Sequence, residues 1–129
     1  MSISNTWEVE ILDHIFNNAA APAVAAPWIS LHTADPGETG ANEVTAGTKT
    51  YTRQSGAFGA AAAGAVSNSA SLTWSSMPAA SVKFVGVWNS STATASASFI
   101  WGGAMTTTKV VGAGDTFKIA IGDLDVTLN

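Results

Sequence analysis

Val82-Lys83-Phe84-Val85-Gly86-Val87-Trp88-Asn89 is the stretch whose reading decides the fold class. Val82, Phe84 and Trp88 share one parity, with Gly86 between them, and Val85 and Val87 share the other. β-Branched and aromatic residues in alternation fit a pleated strand. The same period of two returns downstream. Phe117, Ile119 and Ile121 alternate with Thr116, Lys118 and Ala120, and Leu124, Val126 and Leu128 alternate with Asp125 and Thr127. Upstream, Trp28-Ile29-Ser30-Leu31-His32-Thr33 sets Ile29 and Leu31 against Ser30 and His32. Residues 50–54, 66–69, 71–75 and 96–105 complete the expected strands. Short runs punctuated by turn signals predict a mainly β chain: an antiparallel β-sandwich or barrel-like domain.

One segment reads as a helix, over about residues 5–18. Asn5 and Glu8 have the spacing of a capping box. Trp7, Ile11, Leu12, Ile15 and Phe16 form an apolar stripe, with Glu8, Glu10 and Asp13 placed off it. That stripe must bury against a sheet or a partner, and packing on the chain's own sheet is expected because an isolated helix this short is marginal. Residues 19–27 form a small-residue linker with Pro22 and Pro27 as breakers. Asp35-Pro36-Gly37 reads as a turn at the head of a polar loop covering about residues 34–48. The Ala/Gly run 56–65 predicts a loop or a flat strand of small residues.

At 129 residues the chain is expected to be one domain, 1–129, able to bury a core without staples. Cysteine is absent, which removes disulfides, zinc knuckles and thiol catalysis. Charged residues are 11% of the chain, against a usual share near ~25%. The five dispersed cations, Lys49, Arg53, Lys83, Lys109 and Lys118, and a net charge of -4 argue against nucleic acid as a partner. The first residues lack the basic start of a secretion signal, and no apolar run is long enough to span a membrane. Ala, Thr, Ser and Gly (24, 15, 14 and 12 residues) make up half of the sequence. A surface of small uncharged residues allows close approach at little desolvation cost, as in a subunit with neighbours.

No catalytic set is legible. There are two histidines, no Gly-x-Ser-x-Gly elbow and no phosphate loop. His32, Asp35 and Glu38 match no metal-ligand spacing, and Asp35 is better explained by turn chemistry. The reading is therefore no enzyme, no cofactor and no metal. Trp28, Trp74, Trp88 and Trp101 fall on expected strands. A carbohydrate platform would require at least two of them exposed on one face, and burial is the commoner fate.

The order of segments carries a resemblance. Leu12-Asp13-His14-Ile15-Phe16 is followed by Ser30-Leu31-His32-Thr33-Ala34-Asp35-Pro36-Gly37-Glu38, then Asn42-Glu43-Val44 and Tyr51-x-Arg53-Gln54. The end is Val111-x-x-Gly114-Asp115-x-Phe117 and Gly122-Asp123-Leu124-x-Val126-Thr127-Leu128. Over nearly the whole chain this resembles a family of small structural proteins of tailed bacteriophages, often labelled tail fibre or minor tail proteins. The His-Thr-Ala-Asp-Pro-Gly loop is its most specific part. The resemblance implies a structural virion component, most simply tail or fibre associated, working by protein–protein assembly. A capsid-cementing role and a glycan-binding module on a tail tip are the alternatives. The implied partners are other virion proteins, repeated copies of the same chain and, for the second alternative, a host-surface glycan. Trp7, Phe16, His32, Asp35, Pro36 and Gly37 are the candidate interface residues.

Overall fold

The computed structural model describes residues 2–128. In chain order the elements are β1 (Ser2–Ile3), α1 (Asn5–Phe16), β2 (Trp28–His32), β3 (Gln54–Ser55), β4 (Ala65–Ser67), β5 (Leu72–Trp74), β6 (Ala80–Trp88), β7 (Phe99–Val111), β8 (Phe117–Ile119) and β9 (Asp125–Thr127). A single 3-10 turn, Ser96–Ser98, leads into β7. Every strand pairing is antiparallel. The strands form a five-stranded sheet in the order β1-β7-β6-β2-β3 and two ribbons, β4-β9 and β5-β8, with no closed barrel among the described residues.

The alternation read from the sequence sets the two faces of the large sheet. Leu31 stands opposite Val85, which stands opposite Gly103; Ile29, Val87 and Trp101 form the next row. These side chains share one face and join Leu72, Trp74, Met77, Phe117, Ile119 and Leu124 in the main core. Trp74 meets Phe117 edge-on at 5.7 Å between ring centroids. The ribbon β5-β8 thus covers the sheet because its inward residues, Leu72, Trp74, Phe117 and Ile119, are all apolar and buried.

The opposite face is the unexpected one. Ser30 and His32 occupy it, yet both are fully buried. The expected polar loop folds back over them. Thr33 N–H donates to Asn42 O, Val44 N–H donates to Leu31 O, and His32 forms an isolated bridge with Glu43. Pro36 is buried at Gly102, and Gly40 sits on Trp88 and Phe99. The large sheet is therefore covered on both sides, and polar residues on the second side are paired with one another instead of facing water.

Several boundaries differ from expectation. The N-cap of α1 is Ser4, not Asn5, and neither makes a side-chain cap. The Ser4 hydroxyl donates to Phe99 O at 2.6 Å instead, and Ser4 N–H donates to Ile100 O. The helix stops at Phe16 because Asn18 takes a left-handed φ of 54°. β7 continues past residue 105 to Val111, and β3 lies later than the expected 50–54. The Ala/Gly run closes as a hairpin. Ala62 and Ala65 exchange both backbone bonds around Ala63 and Gly64, which both have positive φ, as the strand twist prefers.

Gly40 tests this packing. A Cβ there would lie 2.2 Å from Trp88 Cζ2, at a φ of +73°, whereas Gly37 has a φ of +56° with nothing within 4 Å. Gly37→Ala should cost ~1 kcal/mol from backbone strain alone. Gly40→Ala should add ~1–3 kcal/mol of overlap to that. Urea denaturation of the two variants checks the difference.

Candidate functional site

The loop 33–44 and the helix are the two places where the candidate interface residues gather. The loop is built on turn chemistry. Asp35 Oδ1 accepts from Gly37 N–H at 2.9 Å, Asn42 Nδ2 donates to Asp35 O, and Ala41 N–H donates to Pro36 O. Asp35 and Gly37 stay exposed at its tip, while Pro36 and His32 are buried beneath it. Glu38 accepts from Asn5 N–H at 2.7 Å, tying the loop to the start of α1. His32, Asp35 and Glu38 are thus engaged separately and do not converge on one point.

A four-member hydrogen-bond chain lies under the loop. Trp88 Nε1–H donates to Ser30 Oγ at 2.8 Å, Ser30 Oγ–H donates to His32 Nε2 at 2.7 Å, and His32 Nδ1–H donates to Ala41 O at 2.7 Å. The directions follow from the ends. An indole can only donate and a carbonyl can only accept, so the imidazole between them is neutral. A proton on Nε2 would leave the serine hydroxyl receiving two donors with its own hydrogen unplaced. Burial holds the His32 pKa below its ordinary 6.5, against the opposing pull of the Ala41 carbonyl and the Glu43 charge.

The residues beside this chain, Glu43, Tyr51 and Arg53, carry the resemblance in the sequence but were not among the candidate interface residues. Arg53 lies 3.6 Å above the Trp88 ring centroid. Its guanidinium pairs with Glu43, Nε to Oε1 at 3.0 Å and Nη2 to Oε2 at 2.7 Å, and donates to the carbonyls of Ser90 and Ala93. Tyr51 accepts from Leu31 N–H and donates to Glu43 Oε1; burial first, then the Glu43 charge, pushes its phenol far above the usual range. One arginine so fixes the loop, the segment 90–93 and an indole face. The sequence signal was the lone arginine itself, in a chain otherwise supplied with lysine.

The helix presents the opposite situation. Among the apolar residues of α1 only Trp7 is buried, and Ile11 is half-buried. Val9, Leu12, Ile15 and Phe16 are 58, 53, 62 and 76% exposed. The expected burial of the stripe on the chain's own sheet is not found: α1 is pinned at its first turn through Ser4, Asn5 and Trp7, and its remaining turns present apolar residues outward. Val9 belongs to this stripe, three residues before Leu12, and was missed because the stripe was phased on Trp7. Of the candidate interface residues, then, Phe16, Asp35 and Gly37 are at the surface, and Trp7, His32 and Pro36 are inside.

One groove lies beside the helix and another lies away from both elements. A small one of about 330 Å³ is lined by Ile3, Glu8, Ile11, Leu12 and Leu128, beside the helix. A larger one of about 740 Å³ lies between β7 and β8, with Val85, Met105, Phe117 and Ile119 in its lining. Of the four strand tryptophans, Trp74, Trp88 and Trp101 are buried and Trp28 is half-buried, so they do not make an aromatic platform.

Stability should depend on pH through His32. The unfolded imidazole takes a proton near 6.5 and the folded one resists it, so stability is full above that pH and falls as pH drops below it. The slope can reach ~1.4 kcal/mol per pH unit from this one group. Urea midpoints measured from pH 7.5 to 5 should fall for the native chain, and the slope should flatten in His32→Gln.

No curated protein matches the chain. A family model described as podophage GP4 fiber I protein gp80 matches residues 2–127. The helix, the covered sheet and both ribbons all lie inside that match, and the chain belongs to this family of phage fibre proteins, carried in the virion.

Proposed function

We propose that the chain acts as one β-sandwich unit, residues 1–129, that assembles into the fibre or tail of the particle by protein–protein contact and catalyses no reaction. The carrying observation is the outward apolar face of α1, Val9, Leu12, Ile15 and Phe16, on a helix whose bonds to the sheet and the loop lie at its start. A monomer gains nothing by ordering such a face toward water; burial of an exposed leucine or phenylalanine is worth roughly 1.5–3 kcal/mol when a partner covers it. Side chains of this kind, few and apolar, are what interface anchors are made of. The loop tip, Asp35 and Gly37, is a second, polar contact, stiffened from beneath by His32 and Pro36. The weakly charged Ser/Thr/Ala surface completes the reading, since it admits neighbours without desolvating many ions.

The capsid-cement role would use the same anchors, and location in the particle separates the two. In particles assembled with Leu12→Asp/Phe16→Asp, the chain should be lost from the virion while the purified variant keeps its thermal midpoint within a few degrees. Quantitative mass spectrometry of purified virions reads this. Incorporation at the native copy number would overturn the role given to α1.

A further inference from the structure

We propose that the loop segment 33–42 is an acid-sensitive cover, which lifts from the large sheet when His32 takes up a proton while the sheet beneath it stays folded. This device belongs to the fold itself and works whether or not the helix face is the assembly contact.

The buried chain leaves no place for a second proton on the ring. His32 Nδ1–H is committed to Ala41 O, and Nε2 accepts from Ser30, whose oxygen already receives the Trp88 indole. A proton on Nε2 turns that acceptor into a donor, and the serine hydrogen loses its partner. Nor can the ring turn aside. A Cβ on Gly86 would lie 2.6 Å from His32 Nε2, so the backbone of β6 closes one side, and Phe99 stands edge-on at 6.3 Å between ring centroids. An imidazolium held here is both buried and badly bonded, and water reaches it only if something opens.

The charged groups around the ring do not rescue it. Glu43, at the end of the loop, favours the imidazolium, and Arg53, ahead of β3, opposes it. Glu43 is already engaged by Arg53 and by Tyr51, whose phenol burial keeps neutral. From β2, β6 and β7 the ring meets Ser30, Gly86 and Phe99, none of them charged. Loss of hydration dominates, so the ring resists protonation while the cover is closed.

The loop is the layer that gives way. β2 is laddered to β6 from Trp28 to His32, and β6 to β7 from Ala80 to Trp88. The segment 33–42, by contrast, buries only Pro36 and Gly40. Its ends are fixed: His32 lies in β2, Val44 N–H donates to Leu31 O, and Glu43 is held by Arg53. A mostly exposed flap between two fixed ends opens more readily than a paired strand. Lifting it parts Ala41 O from the ring and Asn42 O from Thr33 N–H, and uncovers the Trp88 indole on which Gly40 sits. It also withdraws Glu38 from Asn5 N–H, so acid loosens the start of α1. Once lifted, the ring is in water and titrates near its ordinary 6.5, so opening becomes easier as pH falls below that value.

Hydrogen exchange read by NMR on the full chain tests this. After correction for intrinsic exchange rates, the Thr33 and Ala41 amides and the Trp88 indole N–H should show larger opening constants than the β6 amides. Those constants should rise together from pH 7.5 to 5.5, several-fold and at most ~10-fold. His32→Gln keeps a donor and an acceptor without the titration, and should remove the rise. Should that variant fail to fold, the ring nitrogens of His32 decide the matter in the native chain. With the cover closed they should report the neutral Nδ1–H form across this range. An imidazolium signal while Thr33 and Ala41 stay protected would overturn the proposal. So would opening constants that ignore pH, or that equal those of β6, since the sheet would then open together with its cover.

Discussion

The buried chain from Trp88 through Ser30 and His32 to Ala41 is the constraint on which the rest of this structure depends. It turns a polar strand face into an interior. Three side chains and one carbonyl satisfy each other with no hydrogen-bonding group left over, so the sheet can be closed on its second side by a loop rather than by another layer of strands. Glycine completes the arrangement: at Gly86 a Cβ would lie 2.6 Å from both His32 Nε2 and Ser30 Oγ, and at Gly102 one would lie 2.6 Å from Pro36. The Glu43–Arg53 pair then locks the loop's return, with the guanidinium lying over the same indole. The segment His32 to Gly37 is thus a packing device first, buried at His32 and Pro36 and exposed at its tip, Asp35 and Gly37.

This explains how much could be read beforehand. The strands of the main core were legible because apolar residues alternate and bury on one side. Ile29, Leu31, Phe117 and Ile119 behave as their parity requires. The turn chemistry of Asp35-Pro36-Gly37 was legible because it is local. The second face was not, because Ser30 and His32 look like solvent residues until their partners, Trp88 fifty-eight positions from Ser30 and Ala41 nine from His32, are known. The outer half of β7 was hidden for a related reason. Residues 105–108 stand opposite Lys83 alone, in a register shift between Val82 and Phe84, and most of their side chains are exposed, so no alternation marks them.

The helix was recognised as a helix and misjudged in its packing. Amphipathicity records that a face will be covered, and is silent on which molecule covers it. The capping residue was misjudged by one position because Ser4, which precedes the helix, spends its hydroxyl on Phe99 O across the fold instead of on its own first turn. Both differences have the same origin: the start of α1 is organised by the sheet, through Ser4, and by the loop, through Glu38, while the rest of the helix is organised by neither.

That attachment has a mechanical consequence. If α1 is the contact with other virion proteins proposed above, a force applied at its start reaches the sheet through Ser2–Ser4. There the β1 ladder on Trp101 and Gly102 and the two bonds of Ser4 to the carbonyls of Phe99 and Ile100 form one rivet on β7. β7 is stitched along most of its length to β6, the middle strand of the sheet. Tension arriving there would be passed to the five-stranded sheet rather than to the two-stranded ribbons.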